Sequence, residues 1–189
     1  MTQAELGILY WIQNNMRCSF LDGALKVITE LGNGGIFWIF ISLVFVCFKE
    51  TRRVGLAACI ALALMQISGN MVLKPLIERA RPCDIDQTID MIIGRPHGFS
   101  FPSGHTASSF AVVFAMYYAK SRLWKPAAVL AALIAFSRMY LFVHYPTDII
   151  GGVLLGLVCG WLGAKAGRRL NRKINRYIRA RRRARRAEA

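Results

Sequence analysis

Residues 126–164 read PAAVLAALIAFSRMYLFVHYPTDIIGGVLLGLVCGWLGA, two apolar stretches joined at a short polar seam. The stretches 126–143 and 147–164 each approach the roughly 20 residues that a membrane-crossing helix needs. Arg138 lies inside the first, where an unpaired charge is expensive and marks function. His144 stands in the seam, and Pro146 suits the first turn of a following helix. Asp148 falls one turn beyond His144, close enough to hold an imidazole nitrogen and fix its tautomer. The pattern predicts helices crossing a bilayer, with reactive groups gathered near their ends.

Composition agrees with that reading. The chain has 189 residues, 55% of them hydrophobic, and its mean hydropathy is +0.38. A soluble domain of this length has too little core to hide so much apolar surface. The five cysteines, at 18, 47, 59, 83 and 159, are scattered singly and form neither a CxxC nor a Cys/His metal pattern. That spacing excludes a disulfide framework and a zinc site as expectations. The first sixteen residues lack a basic start and a continuous apolar core, so no cleavable signal peptide is expected.

Further stretches extend the pattern to an all-α, polytopic membrane bundle of about six helices. Residues 2–16 set Leu6, Leu9, Tyr10 and Ile12 among polar neighbours, which suggests an amphipathic helix lying in the interface. Residues 20–31 form a weak span whose Asp22, Lys26 and Glu30 are four apart, on one helical face where they can pair internally. Residues 36–48 follow the glycine turn at 32–35; both pieces are short, and they can be read as two spans or as one broken re-entrant element. Spans at about 53–73 and 104–119 complete the set. The expected organisation is an N-terminal segment 1–19, a membrane domain 20–166 and a basic tail 167–189.

Charge orients the bundle. Lys49, Arg52 and Arg53, then Lys120, Arg122 and Lys125, then twelve Lys and Arg between 165 and 186 all fall on one side of a six-span arrangement. The positive-inside rule makes that side cytoplasmic, with both termini there. The net charge of +15 comes mostly from the tail. In a soluble protein such a run would suggest nucleic acid. Here Leu170, Ile174, Tyr177 and Ile178 recur at helical spacing, which favours an amphipathic helix on anionic lipid and no nucleic-acid partner.

Two more polar islands open on the opposite face. Lys74 and Arg81-Pro82 are seven residues apart, so a helix running to Pro82 would put both cations on one face. Alone, they read as snorkelling cations at a span end. Pro102-Ser103-Gly104-His105 begins the next helix with Ser103 as N-cap, and the free N–H groups and dipole there suit an anion. With Arg138, His144 and Asp148 at a compatible depth, the islands have the equipment to grip and cleave a phosphate ester at a membrane surface.

Lys74-x6-Arg81-Pro82, Pro102-Ser103-Gly104-His105 and Ser137-Arg138-x5-His144-x3-Asp148 resemble the three-part signature of the type 2 phosphatidic acid phosphatases. That superfamily includes undecaprenyl diphosphate phosphatases and vanadium-dependent haloperoxidases; the resemblance covers about residues 53–165. It implies that His144 is a nucleophile forming a phosphohistidine, oriented by Asp148, and that His105 is the general acid. It further implies that Lys74, Arg81, Ser103, Gly104 and Arg138 bind the phosphoryl oxygens, with no metal or other cofactor required. His97 matches no motif position and is read as shaping the loop.

Small size, six spans and an outward-facing site look most like the bacterial undecaprenyl diphosphate phosphatases of the plasma membrane. Phosphatidic acid and phosphatidylglycerol phosphate are alternative substrates, since the motifs read the phosphate and not the lipid tail. A lipid-phosphate binding or transport protein without catalysis is the rival class, and a haloperoxidase is disfavoured because those enzymes are soluble.

Overall fold

Small side chains decide how the helices of this protein meet. The computed structural model describes residues 2–187. The long C-terminal helix α9 (Pro146–Ala187) packs along both α4 (Arg52–Met65) and α7 (Gly104–Tyr118). Gly152, Gly156 and Gly160 of α9 are spaced four apart and face α7; a Cβ on Gly156 would lie 2.8 Å from Ala111 N. Gly163 and Gly167 face α4, where a Cβ on Gly163 would lie 2.5 Å from Ala57 O. Ala57, Ala61, Ala107, Ala111 and Ala115 meet them as equally small partners. Such stripes let backbones approach closely, which drives helix association where the solvent is itself apolar.

The remaining helices complete the bundle. α3 (Ile36–Cys47) packs on α4, and Trp38 of α3 donates its indole N–H to Ser109 Oγ of α7 at 2.9 Å. α8 (Trp124–Tyr140) packs on α7 and on α2 (Ser19–Glu30). α1 (Thr2–Met16) lies across one end, burying Leu9 and Ile12 in a second apolar cluster with Tyr140–Val143, Tyr145 and Cys83. Two short helices, α5 (Lys74–Ile77) and α6 (Pro82–Ile85), stand at the same end. No strand occurs among the described residues. Phe40, Leu43, Met71, Val129, Ile150 and Leu154 are exposed on the outside of the helices, a surface that a bilayer covers and water does not.

Among the described residues, length and composition qualify two helical stretches to cross a membrane, Arg52–Ile85 and Pro146–Arg186. The pair Ser19–Glu30 and Asn33–Cys47, bent by 40°, qualifies as a third if it is one span. α7 and α8 have 15 and 17 residues, fewer than the roughly 20 of a perpendicular span.

Two expectations need correction. Lys74 and Arg81 do not share a helical face. α4 widens into a π-helix over Gln66–Leu73, α5 stops at Ile77, and Glu78 turns left-handed at φ 49°. Pro75 removes a donor immediately after the widened turn, and Pro82 forces Arg81 into extended backbone, so the helix ends between the two cations. Asp22, Lys26 and Glu30 form no ion pair among themselves; Asp22 instead accepts from Tyr140 Oη at 2.6 Å and faces Arg17 at 3.8 Å. The boundary at 166/167 is a change of composition within the unbroken α9, and residues 188–189 lie outside the described part.

The α7–α9 contact predicts a sharp size limit. Gly156→Leu forces its side chain into the backbone of Ala111 and lowers the thermal midpoint in detergent by the equivalent of about 1–3 kcal/mol or more. Gly23→Ala, at a helical position with nothing within 4 Å, leaves the midpoint unchanged or raises it.

Candidate active site

The cavity at the α1 end of the bundle holds about 180 Å³, and Lys74, Arg81, Gly104, His105, Arg138 and His144 line it. Six of the eight residues expected from the sequence therefore meet in one small space. They arrive from four directions. Lys74 comes off the π-widened end of α4, Arg81 from the extended link to α6, His105 from the first turn of α7, and Arg138 from the last turn of α8.

His144 sits in the loop between α8 and α9. Its Nδ1 faces Asp148 Oδ2 at 3.2 Å, and its Nε2 faces Arg81 Nη1 at 3.3 Å. With Nδ1 donating to the carboxylate, Nε2 is the acceptor nitrogen, and its lone pair faces Arg81 Nη1 at the cavity wall. Burial, then the charges of Arg138, Arg81 and Lys74, push His144 well below the ordinary histidine range. The imidazole is therefore neutral at pH 7, as a nucleophile must be. Asp148 is fully buried; Oδ2 also accepts from Tyr145 N at 2.9 Å, and Oδ1 accepts from Arg79 Nη1 at 2.7 Å.

The two arginine side chains are held by neutral partners, so their charge stays available. Arg81 donates to the carbonyls of Gly98 (2.8 Å), Val143 (3.1 Å) and Phe99 (3.2 Å), with His97 O at 3.5 Å. His97 thus contributes a backbone carbonyl of the loop. Arg138 is 3% exposed and donates from Nη1 to Thr29 Oγ1 at 2.6 Å, while its Nε has no partner among the described residues. Neither guanidinium is paired with a carboxylate in the cavity. Three cations around a neutral imidazole form a cradle for a multiply charged oxyanion.

Ser103 is the N-cap of α7, as expected, but its Oγ is buried and accepts from Thr106 N (3.5 Å) and Thr106 Oγ1 (3.0 Å). It stands behind the cavity wall, whereas Gly104 belongs to the wall; a Cβ there would lie 3.9 Å from Lys74 Nζ. His105 Nε2 is 2.8 Å from Asn33 Oδ1, and its ring lies against Gly32, where a Cβ would come within 2.5 Å of His105 Cδ2. No group of three His, Cys, Asp or Glu side chains suited to a metal occurs among the described residues.

Sequence reading missed the layer behind these groups. Asn33 and Gly32 were treated only as a turn. Arg79 stands two residues before Arg81 and outside the motif, and Glu5 is the lone charged residue of an amphipathic helix. Arg79 Nη2 bonds Glu5 Oε2 at 2.6 Å, and Glu5 Oε1 accepts from Thr147 Oγ1 and Thr147 N. Burial pushes the Glu5 carboxyl up, but the bonds from Thr147 and Arg79 outweigh it and hold the group below its ordinary value, ionised at pH 7.

A second, apolar cavity of about 500 Å³ adjoins the first. Ile39 of α3 and Leu62, Ala63 and Met65 of α4 line it, and Gln66 and Asn70 border both spaces. A polar pocket thus opens beside an oily groove between two outward-facing helices.

Over 158 residues the chain is 28% identical to an undecaprenyl-diphosphatase of Sulfolobus acidocaldarius, covering 83% of this chain and 76% of the relative. It is 28% identical to the lipid A 4'-phosphatase of Bacteroides thetaiotaomicron over 163 residues, 79% of this chain and 71% of that one. The crystal structure of a transmembrane PAP2-type phosphatidylglycerolphosphate phosphatase from Bacillus subtilis superposes with a TM-score of 0.72 at 27% identity, covering 89% of this chain and 86% of that one. Residues 52–172 match the PAP2 superfamily, and a match over more than half its length shows that the chain belongs to this family of membrane phosphatases.

Proposed function

We propose that this protein is a multi-pass membrane lipid phosphatase working through a phosphohistidine on His144, with undecaprenyl diphosphate as its preferred substrate. The observation that carries the reading is the setting of His144: Nδ1 is engaged by Asp148, and Nε2 faces Arg81 Nη1 at 3.3 Å, in the wall of a cavity that Lys74, Arg81 and Arg138 also line. His144 Nε2 attacks phosphorus, and the P–O bond to the leaving group breaks as His105 delivers a proton to that oxygen. His105 then takes a proton from water, whose oxygen attacks phosphorus; the new P–O bond forms as the P–N bond breaks, its electron pair returns to His144 Nε2, and inorganic phosphate leaves. Asp148 supports the charge that the ring acquires, while the three cations, with the Gly104 backbone, stabilise the charge on the phosphoryl oxygens, and Ser103 supports that backbone from behind as the N-cap of α7. The cationic wall supplies that stabilisation from side chains, so the reaction needs no metal.

The apolar cavity beside the site supports a lipid tail lying between α3 and α4 while the phosphate enters the cradle. Undecaprenyl diphosphate is favoured by the Sulfolobus relative, and phosphatidylglycerol phosphate by the Bacillus structure; phosphatidic acid offers the same monoester chemistry. A binding protein without turnover has less to recommend it, because it has no use for an aligned His144–Asp148 pair.

The bundle is read as six spans, counting α2, α3, α4, α7, α8 and α9, with the site on the extracytoplasmic face and both termini in the cytoplasm. Support comes from the opposite end of α7, where Lys120, Lys165, Arg168, Arg169 and Arg172 line one pocket with Trp161. Lys165 Nζ sits 3.6 Å over the Trp161 ring. Cations concentrated at that end fit the positive-inside rule and an anionic inner leaflet. The segment 1–19, the membrane domain 20–166 and the tail 167–189 are read accordingly as interfacial helix, catalytic body and lipid-binding extension.

Purified protein in detergent should release phosphate fastest from undecaprenyl diphosphate when offered that lipid, phosphatidylglycerol phosphate and phosphatidic acid side by side; a clear preference for either of the others would reassign the substrate. His144→Ala should abolish release, and EDTA should leave the wild type unaffected. Loss of activity in EDTA that a divalent ion restores would contradict the metal-free mechanism. Truncation after residue 169 should leave turnover within about twofold while weakening association with anionic vesicles, read by co-sedimentation at low and high salt.

A further inference from the structure

We propose that Glu5 of α1 is a positioning residue for the His144–Asp148 pair, acting through Arg79, so that α1 must be seated on the bundle for the site to turn over. The proposal rests on the reading of His144 and Asp148 given above. Its basis is a continuous chain of bonds. Asp148 Oδ2 takes His144 Nδ1 and Tyr145 N, and Asp148 Oδ1 takes Arg79 Nη1 at 2.7 Å. The same Arg79 Nη1 lies 2.6 Å from Thr147 Oγ1, and Nη2 lies 2.6 Å from Glu5 Oε2. Glu5 Oε1 closes the ring on Thr147, accepting its hydroxyl at 2.5 Å and its backbone N–H at 3.2 Å.

Each link has a physical consequence. Asp148 has one oxygen committed to the imidazole, so its plane is set by what holds the other. Arg79 does so with one arm of a rigid fork, and Glu5 fixes the second arm. Without Glu5, the guanidinium keeps only Thr147, Asp148 and the face of Tyr145, 4.0 Å from the ring centroid, and its side chain is 22% exposed with water within reach. Glu5 also receives the Thr147 N–H at the start of α9, so it anchors the turn that carries Asp148. A residue on the first helix thus reaches both the carboxylate partner and the backbone beneath it.

The placement of α1 gives the link its meaning. Glu5 is 7% exposed and is the lone charged side chain among residues 2–16. Leu9 and Ile12 seat the helix on the bundle, while Ile8 and Trp11 face outward, 49% and 59% exposed. Tryptophan beside an aliphatic residue suits the membrane–water boundary. The same helix therefore has one face for the lipid interface, one for the core, and a carboxylate for the catalytic pair. A tether that merely held α1 down would need no connection to Asp148.

The test measures kcat and KM in full-length protein in detergent, on whichever of the three lipids is turned over fastest. Glu5→Gln keeps the shape and removes the charge; it should lower kcat about tenfold with KM within about twofold, since misalignment of a reacting group costs rate and not ground-state binding. Arg79→Gln should lower kcat at least as far. The Glu5→Gln/Arg79→Gln double variant should be no slower than Arg79→Gln alone, because the two act in series. Arg79→Lys, which keeps the charge and loses the fork, should show the same kcat loss with KM held, and it carries the test if Glu5→Gln does not fold. A folded Glu5→Gln with kcat within about twofold of wild type, or a double variant whose losses multiply, would overturn the proposal. His144→Ala separates the two levels. If it still turns over, the reading of the site fails; if it is inactive while Glu5→Gln runs at the wild-type rate, only the role of Glu5 fails.

Discussion

Everything at the α1 end of this bundle answers to one constraint: positive charge has been taken out of water and left without a counter-ion. Arg138 is buried against a threonine hydroxyl, Arg81 against main-chain carbonyls, and Lys74 lines the same cavity. Moving an ion into a low-dielectric interior costs several kcal/mol even after relaxation. Asp148 is held by His144, Tyr145 and Arg79, and the neighbouring Asp84 accepts from the Arg81 backbone N–H at 3.2 Å, so neither pairs with the guanidiniums of the cavity. Folding sustains this arrangement because the rest of the bundle is stable enough to hold it. A phosphate dianion entering the cavity relieves the repulsion, and a transition state with more charge on oxygen relieves it further. On the proposed mechanism, that concentration of positive charge is the source of both affinity and rate.

The scaffold that tolerates such strain is built from very small parts. The glycines of α9 meet the alanines of α4 and α7 with backbones in direct contact. That packing fixes where α9 begins, and α9 begins at the Pro146-Thr147-Asp148 turn that carries the carboxylate. The start of α7 is fixed against the same helix, since a Cβ at Gly152 would strike Thr106 and Ser103 O. His105 and Asp148, distant in sequence, are brought to one end of the bundle by the register of one helix pair. Packing at mid-bundle is in this way a statement about catalytic geometry.

Much of this was legible in the chain, for identifiable reasons. Long apolar runs interrupted by Arg138, His144 and Asp148 announced a membrane helix bundle, since burying such groups without purpose is too costly. The N-cap role of Ser103 followed from its place before Gly104-His105 and an apolar run. What periodicity misjudged was the link from Lys74 to Arg81. Seven residues fit two α-helical turns, but the π-widened segment, Pro75 and the left-handed Glu78 break the helix and bring the cations together by another route. The Asp22, Lys26 and Glu30 face was misjudged because tertiary partners, Tyr140 and Arg17, outcompete neighbours one turn away. Glu5 and Arg79 were invisible for a deeper reason. An ion pair 74 residues apart leaves no local pattern, and a lone carboxylate on an amphipathic helix looks like solvated surface.

The account turns on His144 Nε2 forming a bond to phosphorus. Rapid acid-free quenching of the enzyme with lipid substrate labelled in the transferred phosphate, followed by peptide mapping, addresses that bond directly. The account predicts an acid-labile, alkali-stable label on the peptide containing His144, which forms and decays at rates compatible with turnover. Turnover without any covalent label, or a label with the alkaline lability of an acyl phosphate on Asp148, would contradict it.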